Sequence, residues 1–225
     1  MIIDLHVHTT RGASCSSLAP LELAAEAKRM GLEVVCVTEH DRTWERTERD
    51  RFSAEHGLVL LRGMEVTTDL GHVIAFGLDS YVAGINKARE LRRVADGVGG
   101  YLVAVHPFRY AFVQNGAKVN GERWKQPPTL EEAAETPLLG LVDAIESLNG
   151  GCTDEENAFA LQVAKLLGKP TTGGSDAHSH NGLCCYTTAF EMEIGSEQEF
   201  LRELHAGRFY AATGFREGKL APYRL

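Results

Sequence analysis

Two histidines separated by one residue, His6 and His8, stand in the run Ile2-Ile3-Asp4-Leu5-His6-Val7-His8. If the run is a strand, its side chains alternate between faces and both imidazoles point the same way. Two imidazoles on one face at the end of a buried strand form a metal-ligand arrangement. Other ligand-type residues recur along the chain: His40, Glu65, His72, His106, Asp176 and His178. Imidazole and carboxylate together suit zinc, manganese, iron or cobalt, whereas all-oxygen sets suit magnesium or calcium. The set is too large for one ion and enough for two, or nearly three, if a carboxylate bridges. Glu65, lying between two groups of histidines, is the candidate bridge. A lone buried histidine is more often a satisfied core residue than a ligand, so the weight lies on the set. His56 and His205 read as surface residues, and His180 lies beside the proposed site but off its spacing.

The elements that must position these residues follow a repeated order of strand, ligand-type residue and helix. A polar loop over residues 9–17 leads to a helix opened by Pro20, where a missing N–H costs nothing, and stopped at Gly31. The β-branched run 33–38 reads as a strand buried on both faces and ends in Glu39-His40-Asp41. A helix is expected over 42–56 and a strand over 58–64 ending at Glu65. After a short hop through Asp69-Leu70-Gly71, a strand over 72–77 starts at His72. A helix over 85–96 and a strand over 101–105, ending in His106-Pro107, come next. Residues 108–128 are irregular, with Gly116, Gly121 and Pro127-Pro128. A loop of that length is usually a lid or a substrate-binding insert, and its Trp124 is a candidate to stack a base. Beyond it the pattern gives a helix over 130–138, a strand over 144–148 and a helix over 154–167 closed by Gly168. A strand over 169–174 leads into Ser175-Asp176-Ala177-His178. A last strand over 187–194, a last helix over 197–204 and a tail complete the chain. Alternating β and α units argue for parallel strands, and functional residues at strand ends are what a TIM-type barrel shows. With little chain for eight full units, a small or incomplete barrel in a single domain over 1–225 is expected, with 108–128 inserted over the site.

Composition bounds the function. Hydrophobic residues make up 44% and charged residues 24%, an ordinary globular balance, and no apolar run approaches the roughly 18 residues of a membrane span. The net charge of -8 disfavours extended duplex nucleic acid as a partner and suits a pocket that holds cations. Five cysteines without a Cys-x-x-Cys pair argue against a disulfide framework. With neither the basic region nor the apolar core of a signal peptide in view, a cytoplasmic location is expected.

Five motifs, taken in order, resemble the signature of the PHP (polymerase and histidinol phosphatase) family. They are Asp4-Leu5-His6-Val7-His8-Thr9, Thr38-Glu39-His40-Asp41, Gly63-Met64-Glu65, Ala104-Val105-His106-Pro107 and Gly174-Ser175-Asp176-Ala177-His178. The resemblance implies a distorted (β/α)7 TIM-like barrel and a centre of two or three divalent ions (Zn, Mn or Fe) at the C-terminal ends of the strands. By position, His6, His8, Glu65 and Asp176 would hold one ion, Glu65, His72 and His106 a second, and His40 and His178 part of a third. The family often carries another His or Asp soon after His-x-His. Here Gly12-Ala13-Ser14-Cys15-Ser16 has neither, and Cys15 is the only substitute in that stretch.

The chemistry implied is hydrolysis of phosphate esters, with metal-activated hydroxide attacking phosphorus. Asp176 is a candidate proton acceptor, and His178 or His40 a candidate donor to the leaving oxygen. Arg109 in His106-Pro107-Phe108-Arg109-Tyr110 is the candidate phosphate clamp, since guanidinium matches phosphate bidentately, and Arg11 is a second. The expected substrate is a small phosphorylated metabolite or nucleotide. Two alternatives stay open: an amidohydrolase-like C–N hydrolase, and a non-catalytic PHP module that binds a partner.

Overall fold

The computed structural model describes residues 1–112, 118–119, 122–123 and 127–224. Most of the irregular stretch between 113 and 126, including Trp124, therefore lies outside the described residues.

The chain opens with β1 (Ile2–Ile3), followed by α1 (Pro20–Arg29), β2 (Val34–His40), α2 (Arg46–His56), β3 (Val59–Thr68), β4 (Gly71–Phe76), α3 (Ala88–Val98) and β5 (Tyr101–Ala104). Two short strands, β6 (Lys118–Val119) and β7 (Glu122–Arg123), pair with each other. Then come α4 (Leu130–Ala134), β8 (Ala144–Asn149), α5 (Asp154–Leu167), β9 (Thr171–Gly174), β10 (Tyr186–Phe190), α6 (Glu197–Ala206), β11 (Phe209–Thr213) and β12 (Ala221–Pro222).

Local chemistry accounts for the helices. In α1 Pro20 takes the first turn, Glu22 reaches back to the Ala19 N–H at 2.9 Å, and Leu23, Ala24 and Ala27 form the buried stripe. At α5 Thr153 and Glu156 cap each other reciprocally, and Gly168 ends the helix in the left-handed conformation at φ 63°. Ala88, Leu91 and Ala95 give α3 its apolar face.

Six strands form a mixed sheet in the order β2-β3-β4-β5-β8-β9, and β1-β10-β11-β12 form an antiparallel second sheet. The pairs β2–β3, β5–β8 and β8–β9 are parallel, whereas β3–β4 and β4–β5 are antiparallel. The all-parallel expectation fails here for a local reason. The hop between β3 and β4 is too short for a crossover and permits only a hairpin. The residues after β1 join the two sheets. The Thr38 N–H donates to the Val7 carbonyl at 2.8 Å, and Val7 bridges Ala177 in parallel. The result is a curled α/β sheet. Its interior is filled by Ile3, Leu5, Cys36, Leu61, Ile74 and Val103, with Phe200 and Leu204 of α6 packed into the same cluster.

Other boundaries also differ from expectation. Helix α2 starts at Arg46 rather than 42, α4 stops at Ala134 with a 3-10 turn at Pro137–Gly140, and β10 ends at Phe190. The stretch read as a tail contains β11, fully paired with β10.

Candidate metal centre

Sequence-distant residues arrive at one place by strand geometry. His6 and His8 follow β1, His40 is the last residue of β2, Glu65 lies near the end of β3, and His106 follows β5. Asp176 and His178 follow β9. His72 sits at the start of its strand, yet β4 runs antiparallel to β3 and places it opposite Thr67, beside Glu65. Asp176 and His106 are presented from left-handed backbone, at φ 54° and 36°. Such conformations cost about 1–3 kcal/mol each in non-glycine residues and concentrate at functional sites.

Glu65 is the hub. Its buried Oε1 faces His72 Nδ1 at 2.8 Å and His106 Nε2 at 3.1 Å. Three more ring nitrogens surround Oε2: His40 Nδ1 at 3.0 Å, His8 Nε2 at 3.2 Å and His6 Nε2 at 3.4 Å. None approaches at an angle that makes a hydrogen bond, so this buried oxygen has no partner. Asp176 Oδ1 faces His6 Nε2 at 3.4 Å and His8 Nε2 at 3.3 Å, and those two nitrogens lie 3.1 Å apart. Between two facing imidazole nitrogens at most one hydrogen bond can form. The cluster crowds ligand atoms that cannot all pair with one another and is suited to a cation. Its separations match the roughly 3.3 Å edges of a tetrahedron with bonds of about 2.0–2.1 Å. Among the described residues, three groups have ligand atoms within 4.8 Å of one another: His6, His8 and Asp176; His6, Glu65 and His106; His8, His40 and His178. Cys15, exposed, is in none of them.

The electrostatics agree. Burial alone would push the His6 imidazole down, but Glu146, Asp176 and Glu65 outweigh it and hold it well above the usual histidine range. Burial would likewise raise Glu65, yet His6 and the hydrogen-bonding histidines hold it well below the usual carboxylate range. Asp176 is depressed against burial by His6, His8, His106 and Arg109. His106 and His178 are lowered chiefly by burial. The carboxylates thus stay ionised, and the imidazoles compete for positive charge that a divalent ion would supply.

Arg109 reaches this centre. Its Nη2 donates to Asp176 Oδ2 and, at 2.6 Å, to Asn149 Oδ1, while its buried Nε has no partner. Arg11 donates from Nε to Glu48 at 2.8 Å. His180 and His205 are exposed, and His56 is half-buried at the end of α2.

The supporting carboxylates escaped the reading of the sequence. Asp4 accepts from the backbone N–H groups of His6, Ser175 and Cys184, although burial pushes its carboxyl up to about 6. Glu39, fully buried, accepts from the Thr9 hydroxyl and N–H and from Trp44 Nε1. Glu146 accepts from the His6 ring at 2.9 Å. Only the proximity of Asp4 and Glu39 to motif histidines hinted at them. Glu146 lies in the strand expected over 144–148, where nothing local marks it as a partner of His6.

The described residues thus form a curled α/β sheet with a carboxylate-centred histidine cluster at the ends of its strands. Residues 154–209 match the PHP-associated family model. An uncharacterized protein of Methanocaldococcus jannaschii is 26% identical over 118 residues, 48% of this chain and 68% of that one. A 3',5'-nucleoside bisphosphate phosphatase of Chromobacterium violaceum is 31% identical over 98 residues, 40% of this chain and 34% of the phosphatase. The chain thus spans about a third of that relative. Among solved structures, a Bifidobacterium adolescentis protein provisionally described as a metal-dependent phosphoesterase superposes with a TM-score of 0.61. It is 18% identical, and the superposition covers 91% of this chain and 96% of that one. An amidohydrolase from Chromobacterium violaceum, solved with bound sulfate and no metal, gives 0.56 at 19% identity, covering 92% and 96%. The PHP-associated match over residues 154–209 thus stands beside ordered motifs that resemble the PHP family.

Proposed function

We propose that this chain is a metal-dependent phosphoesterase acting on a small phosphorylated metabolite or nucleotide. The observation that carries the reading is Glu65 Oε2, a buried carboxylate oxygen ringed by three imidazole nitrogens at angles that suit no hydrogen bond. The residues present fit two or three divalent ions of the zinc, manganese or iron type. His6, His8, Glu65 and Asp176 would hold one, Glu65, His72 and His106 a second, and His40 and His178 part of a third. Ions bound there would lower the pKa of water and neutralise charge on phosphoryl oxygens.

The chain's own groups supply the rest. Arg109 would bind and orient the phosphate, because Asp176 and Asn149 hold its Nη2 beside the cluster and a guanidinium matches phosphate bidentately. The Nδ1–H of His178 donates to the Asp176 carbonyl at 2.9 Å, which leaves a lone pair on Nε2. In that tautomer His178 ligates or takes a proton, and protonating the leaving oxygen requires a second proton on the ring. Asp176 would be the other acceptor. Residues 1–225 would act as one distorted (β/α)7 barrel domain. A cytoplasmic setting fits the cysteines, all of them free. Among the described residues no helix is long and apolar enough to cross a membrane.

The test is metal content per chain, measured by elemental analysis, together with turnover of p-nitrophenyl phosphate, bis-p-nitrophenyl phosphate and a p-nitroanilide. Two to three equivalents and cleavage of a phosphate ester are expected. Cleavage of the anilide alone would make it a C–N hydrolase. Under half an equivalent after incubation with these metals would leave a binding module.

A further inference from the structure

Glu146, on β8, is a buried carboxylate that the chemistry above does not use. It serves three donors at once. Oε1 accepts from His6 Nδ1 at 2.9 Å, and Oε2 accepts from the His106 backbone N–H at 2.9 Å and from Asn149 Nδ2 at 2.8 Å. Asn149 passes the connection on, since its Oδ1 accepts from Arg109 Nη2 and, at 2.8 Å, from the Gly151 N–H. One side chain thus touches a histidine of the cluster, the backbone of a second and, through one amide, the arginine beside Asp176.

The neutral imidazole has one N–H and one lone pair, so whichever nitrogen carries the hydrogen decides what the other can do. With the hydrogen of His6 committed to Glu146 at Nδ1, its Nε2 presents a lone pair among His8 Nε2, Glu65 Oε2 and Asp176 Oδ1. We infer that Glu146 is a positioning residue: it fixes His6 in its ligating tautomer and, through Asn149, sets Arg109. The inference rests on the metal reading of the site.

Glutamine tests it, because an amide has one acceptor oxygen where the carboxylate has two. If that oxygen serves His106 and Asn149, the amide NH2 faces His6 Nδ1 and the ring must carry its hydrogen on Nε2, which closes the lone pair. If it serves His6, donors face donors in a buried site. Either way ligation suffers while the volume is unchanged. Zinc affinity would be measured by chelator competition on the full chain as wild type, Glu146→Gln and Asn149→Ala, with thermal unfolding of each metal-free protein as the check on folding. Glu146→Gln is expected to lose roughly 10- to 100-fold in affinity, the usual effect of removing an orienting partner. Asn149→Ala should keep zinc affinity within about threefold and instead raise KM, since Arg109 loses an acceptor. Proton–nitrogen spectra of the zinc-loaded wild type should show a hydrogen on His6 Nδ1. Wild-type affinity in Glu146→Gln, or equal zinc losses in both variants, would overturn the inference alone. A wild type that takes up no zinc would instead overturn the metal reading beneath it. Should Glu146→Gln fail to fold, the wild-type spectrum decides, and a zinc-loaded His6 without an Nδ1 hydrogen refutes the inference.

Discussion

Substitution of Gly174 by alanine tests how tightly the centre is built. A Cβ at this position would lie 2.8 Å from Glu146 Oε1 and 2.9 Å from the His6 backbone nitrogen, and closer still to His6 Cβ. Ordinary heavy-atom contacts sit near about 3.5 Å, so the overlap is at least about 0.6 Å. Relief is blocked on several sides. His6 is fully buried, Gly174 is paired with Asn149 in the sheet, and a Cβ on neighbouring Gly173 would already meet the Thr187 backbone. Overpacking of this kind costs about 1–3 kcal/mol, and the rigidity puts Gly174→Ala at the upper end, about 3 kcal/mol. For a chain of this length each kcal/mol shifts Tm by about 2–4 °C, so the metal-free variant should melt roughly 6–12 °C lower. The displaced group is His6, so bound metal should fall as well. Differential scanning calorimetry and elemental analysis read the two effects. A variant with wild-type Tm and full metal content would refute the argument from close approach.

Other expectations are cheaper to check. Gly97, inside α3, has nothing within 4 Å of its would-be Cβ. Gly97→Ala should therefore stabilise by about 0.5–1 kcal/mol, read as a small rise in Tm. Thr153→Ala removes the reciprocal cap of α5 and should cost about 1 kcal/mol in denaturant unfolding. Hydrogen bonding to Arg208 holds Glu203 below its ordinary 4.5. A carboxylate depressed in the folded state adds stability above the unfolded value and loses it as pH falls through the folded one. Between pH 5 and 3 the wild type should therefore lose Tm more steeply than Glu203→Gln; parallel curves would count against the pairing. Arg109→Ala removes the guanidinium beside Asp176, so kcat/KM for a phosphate ester should drop by about 2 kcal/mol or more in transition-state terms, with metal content retained.

The residues that converge at Glu65 were legible because ligand-type side chains stand out where apolar strands end, and period 2 puts His6 and His8 on one side. What was illegible was relational. Glu146 and His6 are separated by 140 positions, and no local pattern marks a glutamate in a β-strand as a partner of a distant imidazole. Arg11, the second candidate clamp, pairs with Glu48 of α2, a partner 37 positions away that no local pattern marks. The antiparallel β3–β4 pair was readable in principle, because Asp69-Leu70-Gly71 leaves no room for a crossover, but the βα rhythm on either side overrode that signal. Strand β11 was lost because Phe209-Tyr210-Ala211-Ala212-Thr213 is short and three of its five residues are alanine or threonine, ordinary in a tail.

The joining of the two sheets by the first residues has a consequence in time. Ile2 pairs with Ala189, and Val7 meets Ala177, so the segment that carries His6 and His8 can meet Thr38 early but meets these neighbours only once residue 177 and those beyond it have been made. At about 5–20 residues per second, translation separates these histidines from their partners by roughly 10–40 s. During that interval the cluster lacks Asp176 and His178. Closure of the sheets and completion of the histidine–carboxylate cluster then coincide late.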